Sequence, residues 1–371
     1  MRGGGEAGWI ALRTAPGVSH VTARRLLDAC GTVDEIRAAS PERLAGLRAP
    51  DGLAAHLGDP RVRVECEAEL ERIAAAGARL VTLDDAEYPL ALRQLRDAPL
   101  YVIARGEPLL TAPALAIVGA RRATDYGLEA ARALAAGLAD AGITVVSGLA
   151  RGIDGAAHEG ALAARGRTVA VLGSGIDVVY PPEHGELAGR IVADGTLLSE
   201  HPVGTAPLPA HFPARNRIIA GMTQGTIVIE AAARSGSLIT ARLANDLGRE
   251  VFAVPGRIDS LLSSGAHLLI RSGATLVRDV DDVLEQVTPA LRSRAGESPS
   301  ALSVVDEAAA RVLGLLGRGP ATADELIRES GRPAAEIVAK LLDLELAGAL
   351  RQVGSRQFQL TGRFAGVGGL Q

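Results

Sequence analysis

Four loops in this chain carry the residue types that hold anions. The first, Gly119-Ala120-Arg121-Arg122, follows the apolar run Leu115–Val118 and leads through Thr124 and Asp125 into a helical pattern at Tyr126. A glycine there permits a tight turn, amide groups at the helix N-terminus face an anion, and Arg121 and Arg122 offer guanidinium charge. The second loop, Ser147-Gly148-Leu149-Ala150-Arg151-Gly152-Ile153-Asp154, puts a hydroxyl, two glycines and Arg151 at an equivalent junction. The third is Gly173-Ser174-Gly175-Ile176-Asp177, and the fourth is Arg234-Ser235-Gly236-Ser237-Leu238-Ile239-Thr240. One such loop is commonplace in α/β proteins, but four on one sheet edge describe a long cradle for several phosphates.

A fifth segment, Phe212-Pro213-Ala214-Arg215-Asn216-Arg217-Ile218-Ile219-Ala220-Gly221, adds two more arginines. Arg215 and Arg217 can pair with phosphates, Asn216 can cap a helix or read a base edge, and Phe212 offers a ring for stacking. Other chemistries lack their parts. The chain has no G-x-x-x-x-G-K-[ST], H-E-x-x-H or G-x-S-x-G, which argues against ATP hydrolysis, zinc hydrolysis and acyl transfer. The first loop is not G-x-G-x-x-G, and no acidic residue ends the next strand to hold a ribose, so NAD is disfavoured. Cys30 and Cys66 lack C-x-x-C spacing and a neighbouring His cluster, which argues against zinc and disulfides and for a reduced, cytoplasmic setting. The scattered histidines, His158 among them, read as structural. No metal or cofactor is expected.

The elements that must position these loops are legible as a texture. Short apolar runs at Leu80–Leu83, Leu100–Ala104, Leu115–Val118, Ile143–Val146, Thr168–Leu172, Thr196–Leu198, Thr226–Glu230, Glu250–Val254 and Thr275–Val277 predict strands. Helical patterns near 126–141, 153–165, 183–193, 215–222, 237–247 and 264–272 lie between them, the alternation of a mostly parallel, Rossmann-like sheet. Residues 1–76 read as a small helical domain broken at Pro16-Gly17, Gly31, Pro41, Pro50 and Gly58. Within it Pro16–Ala23 has some likeness to a helix-hairpin-helix phosphate contact, but Ser19-His20 replaces the second glycine and an ordinary helix cap is the simpler reading.

The α/β domain is expected over 77–287, a linker over 288–301, and a winged helix over 302–364. The last rests on a helix at Leu302–Leu316, a capping box Thr322-x-x-Glu325, a helix at Arg332–Leu346 and a hairpin around Gly354-Ser355. The 371 residues are 47% hydrophobic but only 2% aromatic with 44 glycines, so packing relies on Ala, Leu, Val and Ile with close backbone approach. A net charge of −4 gives no global field to attract a polyanion, so any nucleic-acid site must be local. No window approaches a membrane span.

From Gly119 to Gly273 the order of motifs resembles the DNA-processing protein A family, also called Smf. The likeness runs through Ser147–Asp154, Ala157–Leu162, Tyr180-Pro181, Ser199-Glu200-x-Pro202, Phe212–Gly221, Val228–Asp246 and Glu250–Gly256. It departs at Ala120, Ser174, His201 and Gly265-Ala266-His267. The resemblance implies a non-catalytic recombination mediator of natural transformation. Such a protein binds and protects single-stranded DNA, acts on DNA coated by single-strand-binding protein, loads the RecA recombinase and forms a homodimer. It also implies DNA contacts at Arg121, Phe212, Arg215, Asn216 and Arg217. The alternative is a nucleotide-binding enzyme of the phosphoribohydrolase type, whose P-G-G-x-G-T-x-x-E signature supplies a catalytic Glu. If Gly236-Ser237 stands for its Gly-Thr, Thr240 occupies the carboxylate position.

Overall fold

The computed structural model describes residues 5–109 and 113–287, and in the C-terminal part positions 312, 315–316, 321–334, 337–338, 341, 344, 350–353 and 357–360. The chain divides into two units, residues 1–295 and 296–371. The anticipated linker at 288–301 lies outside the described residues.

The first unit is built on nine strands. They are β1 (Ala78–Thr82), β2 (Tyr101–Gly106), β3 (Ala114–Gly119), β4 (Thr144–Ser147), β5 (Thr168–Val171), β6 (Thr196–Ser199), β7 (Gly225–Ile229), β8 (Glu250–Ala253) and β9 (Thr275–Leu276). Their order is β1-β2-β6-β5-β4-β3-β7-β8-β9, with only the β1–β2 and β2–β6 pairs antiparallel. Each apolar run read as a strand overlaps one of these. The runs are continuous because the central strands are covered on both faces. In β3, Ala114, Ala116 and Val118 enter one core while Leu115 and Ile117 enter the other.

Strand order fixes where a ligand can sit. From β3 the chain winds through β4 and β5 to β6 on one side, and β7, β8 and β9 continue on the other. The crevice of such a sheet opens where the winding reverses, outside the carboxyl ends of β3 and β7. Gly119 ends β3, and the Arg234–Ser237 loop follows β7.

Six helices precede β1, from Glu6–Thr14 to Pro60–Ala75, and side chains of Ser19, Thr32, Ser40 and Asp59 cap four of them. Ser19 accepts the Thr22 amide at 3.1 Å, the ordinary cap. The helical region does not pack apart from the sheet. One apolar cluster joins Trp9, Leu12 and Leu26 to Tyr88, Leu100 and Val102, so the border near residue 76 is a change of element with continuous packing across it. Tyr88 is fully buried and its hydroxyl donates to the Pro99 carbonyl at 2.7 Å.

In the second unit a three-stranded antiparallel sheet is ordered Ala321–Thr322, Gln357–Leu360, Leu350–Val353. The expected capping box is present, Thr322 receiving the Glu325 amide and Glu325 receiving that of Thr322. Val312, Leu316, Leu326, Ile337, Leu341 and Leu350 form its core, as a winged helix requires. The hairpin tip at Gly354-Ser355 and much of the spans predicted as helices at Leu302–Leu316 and Arg332–Leu346 fall outside the described residues.

Candidate nucleic-acid interface

Helix Asp125–Asp140 begins directly after the first loop, and Thr124 caps it by accepting the Gly127 amide at 3.2 Å. Thr124 is held in turn by Glu230 at the end of β7, whose carboxylate accepts both its amide and its hydroxyl. Glu230 is buried and adopts a positive φ of 47°, a conformation costly for a residue with a side chain. The Arg121 loop is thus fastened to β7 across the switch point. At Gly119 a Cβ would lie 1.9 Å from the Ile229 carbonyl oxygen, so only glycine permits the strands to close there.

Between these loops is a cleft of about 640 Å³. Gly119, Arg121 and Arg122 line one wall, Arg234, Ser235, Gly236 and Ser237 another, and Phe212, Asn216 and Tyr180 a third. Helix His211–Gly221 starts four residues earlier than the predicted 215, which places Phe212 in its first turn. The Arg121 guanidinium lies over the Phe212 ring, 5.4 Å from its centroid, and the Tyr180 ring stands 5.7 Å from Phe212 at 48°. Arg121, Arg122 and Arg234 have no carboxylate within ion-pair distance among the described residues. All three are exposed. A recess beside the cleft is lined by Gly148 and Arg151 together with Arg121 and Phe212. There Arg151 pairs with Glu183.

Among the described residues the one carboxylate lining the cleft is Asp154, and it is not available to a ligand. Its Oδ2 accepts the Gly148 amide at 3.1 Å and the Ala150 amide at 3.3 Å, holding the second loop. Burial pushes its carboxyl above the usual carboxylate range, against the pull of Arg215. The cleft therefore presents net positive charge, guanidinium groups and aromatic rings, a surface suited to phosphates and stacked bases.

Two expected phosphate ligands have other work. Arg215 is 4% exposed and donates through Nη1 to the Val171 carbonyl. Burial lowers its pKa to about 10, with Asp154 opposing that shift. It touches the cleft from beneath and supports the floor. Arg217 does not line the cleft. Its guanidinium, 15% exposed, is paired with the largely covered carboxylate of Glu200 and donates to the Asp97 carbonyl at 2.8 Å. His20 stands 3.6 Å from Glu200 but is neutral, because burial and then Arg13 and Arg217 lower its pKa to about 3.

Four further positions are also structural. Ser147 Oγ donates to the Ile117 carbonyl and Ser174 Oγ to the Val178 carbonyl, each at 2.6 Å. Gly173 packs against the Phe212 ring, and the Gly175 amide donates to Thr205. The third loop thus carries Phe212 and leaves the anion to its neighbours. Arg234 lines the cleft as the fourth loop predicts, whereas Tyr180 and Glu230 take part without any sequence reading that places them there. Arg234 belongs to the same Arg-Ser-Gly-Ser pattern and was legible in it, whereas Glu230 acts through a left-handed backbone that no residue pattern announces.

His158 is buried, and its Nδ1 lies 2.6 Å from Thr168 Oγ1, whose own proton goes to the Val145 carbonyl. Nδ1 therefore carries the hydrogen and Nε2 has no partner. Among the described residues no group of three or more His, Cys, Asp or Glu is placed to hold a metal. No helix among them is long and apolar enough to cross a membrane.

A Rossmann-type sheet whose switch-point cleft gathers unpaired arginines around an aromatic pair defines a protein for anionic, base-bearing ligands, followed here by a winged helix. The chain belongs to the DNA recombination-mediator protein A family, whose profile matches residues 79–288, while a DprA winged-helix profile matches residues 296–355. It is 40% identical to protein Smf of Escherichia coli over 281 residues, 74% of this chain and 75% of that one. The crystal structure of DNA processing protein A from Streptococcus pneumoniae superposes with a TM-score of 0.67 at 36% identity, covering 76% of this chain and 98% of the other. DNA processing protein A of Helicobacter pylori, a structure described for its single-stranded DNA binding mode, gives 0.51 at 30% identity over 57% and 96%.

Proposed function

We propose that the chain binds single-stranded DNA in the switch-point cleft and acts as a recombination mediator. Phosphates meet Arg121, Arg122 and Arg234, and bases stack against Phe212 and Tyr180. The observation that carries this reading is the set of three exposed guanidinium groups without carboxylate partners around one aromatic pair. A polyanion supplies the missing charge, and releases counterions as it does so. Replacing Arg121 and Arg234 by Ala tests it. Each lost phosphate contact should reduce the slope of log affinity against log salt by about 0.7 for a single strand. Mobility shifts of a thymidine oligonucleotide at two salt concentrations measure this, and an unchanged slope refutes the placement.

The finer reading has the protein take single strands already coated by single-strand-binding protein, protect them and load the RecA recombinase in natural transformation. The setting is cytoplasmic. The assay is filament nucleation on coated DNA with and without the protein. Binding without catalysis is supported by the cleft, whose one carboxylate is occupied by amides and where Thr240 is buried at the position an enzyme would give to Glu. Dimerisation is supported by Ile258, Leu261 and Leu268, exposed apolar residues after β8, and by Leu276 in the edge strand β9.

A further inference from the structure

A second surface of the first unit also gathers arginines. Helix His20–Cys30 and the segment around helix Leu90–Arg93 enclose a groove of about 600 Å³ lined by Arg24, Arg25, Arg93 and Arg96. Arg25 and Arg96 are exposed and have no carboxylate partner among the described residues. Arg93 stands over the Tyr88 ring with its Nε hydrogen buried and unbonded. Arg249 extends the same segment, donating to Gln94 and to the Ala91 carbonyl. Of the nearby carboxylates, Asp28 pairs with Arg24 at 3.2 Å and Asp97 lies 3.7 Å from Arg217, while Glu6, Asp84 and Asp85 line an adjoining recess with Arg24 and Arg93. Arg25 and Arg96 are thus held beside Arg24 and Arg93 with no carboxylate of their own among the described residues, an arrangement that an anion stabilises.

The groove is joined to the cleft by a short chain of contacts. Asn216 lines the cleft, Arg217 follows it, Arg217 grips Asp97, and Arg96 precedes Asp97. From Asn216 the same helix runs to Gly221, about 8 Å along its axis, and a Cβ at Gly221 would touch Leu95 beside Arg96. We infer that the Arg24–Arg25–Arg93–Arg96 groove is a second phosphodiester site that takes the strand after it leaves the cleft. This inference rests on the cleft holding single-stranded DNA. It assigns the groove backbone phosphates alone, because its open arginine wall offers five-donor guanidinium forks and none of the residues lining it carries an aromatic ring.

The test compares two lengths of thymidine oligonucleotide, one of about six nucleotides that fills the cleft and one of about thirty that can reach beyond it. The double variant Arg25→Glu, Arg96→Glu should bind the short one within twofold of the parent. It should bind the long one at least about tenfold more weakly, with a shallower salt dependence. A control with the same charge change, Arg61→Glu with Arg190→Glu, reverses two exposed arginines outside both grooves and should leave both lengths bound. The inference is overturned if the double variant holds the long oligonucleotide as tightly as the parent does. It is equally overturned if both lengths, or the control, lose affinity alike. Arg121→Ala separates the two readings. Loss of the short oligonucleotide supports the cleft, whereas retention of both lengths in Arg121→Ala rejects the cleft and leaves the Arg25/Arg96 comparison to be read by itself.

Discussion

Arg215 lies so close beneath Gly148 that a Cβ on that glycine would stand 2.1 Å from Nη1. The guanidinium fills the space a side chain would need, faces buried Asp154 and is capped by the Val171 carbonyl. Removing the guanidinium takes the donor from the buried Val171 carbonyl and the nearest opposing charge from Asp154, and a buried polar group left without its partner costs about 1–3 kcal/mol. Arg215→Ala should therefore lower the urea midpoint sharply, while Arg121→Ala should shift stability by no more than about 0.5 kcal/mol and lose DNA affinity. Parent-like stability in Arg215→Ala combined with weak DNA binding would make Arg215 a direct ligand after all.

Phe212 is half-buried between the Gly173 backbone, the Tyr180 ring and the Arg121 guanidinium. A base stacked on such a ring contributes about 1–3 kcal/mol. Phe212→Ala should weaken oligonucleotide binding by about 10- to 100-fold, and Phe212→Tyr should restore most of it. Fluorescence anisotropy with a labelled strand reads both. Because stacking carries no counterion release, the salt slope of Phe212→Ala should match the parent's, in contrast to the arginine variants. A reduced slope would show that Phe212 acts only by holding Arg121.

His158 predicts an acid-labile fold. Its pKa falls to about 3 from an ordinary 6.5, mainly by burial, with His184 and Arg215 adding repulsion. The unfolded chain binds this proton below 6.5 and the folded chain does not until about pH 3. Stability is therefore full above 6.5 and is lost as pH falls toward 3, by about 2 kcal/mol at pH 5 from this residue. Denaturant titrations at pH 7 and pH 5 should show that loss, and His158→Gln should remove it from the difference between the two. An unchanged pH dependence in the variant would mean that the imidazole is hydrated and titrates normally.

Strands were legible in the sequence because a parallel sheet covered on both faces leaves continuous apolar runs, and Leu115–Val118 or Thr226–Glu230 cannot be much else. The loops were legible because Gly, Ser and Arg gather where strands end. The partners of the arginines were not. Arg121 and Arg217 look alike as letters, yet one faces solvent over an aromatic ring and the other is locked to Glu200, a residue that reaches it only through the fold. The start of helix His211–Gly221 was missed for a related reason. Its N-cap is Ala210, with no side-chain cap bond, so the signal that marks most helix starts is absent.

The segment from Ile258 to Leu276 supports a prediction about assembly. Ile258 is 96% and Leu261 82% exposed, Leu268 and Leu276 are also exposed, and β9 pairs on one side only. An apolar edge of this kind is stabilised by burial, and a second copy presents the same surface for a two-fold contact. A stable contact needs about 1,200–2,000 Å² in total, for which these side chains would form the apolar centre. Ile258→Glu with Leu261→Glu should convert a dimer into a monomer of parent-like thermal stability, since neither side chain packs in the protomer. Light scattering across a concentration series measures the mass. The variant should keep its affinity for a strand that fills one cleft and lose the extra affinity that a strand bridging two clefts gains from their linkage. A monomeric parent, or a variant that remains dimeric, would reject this edge as the interface.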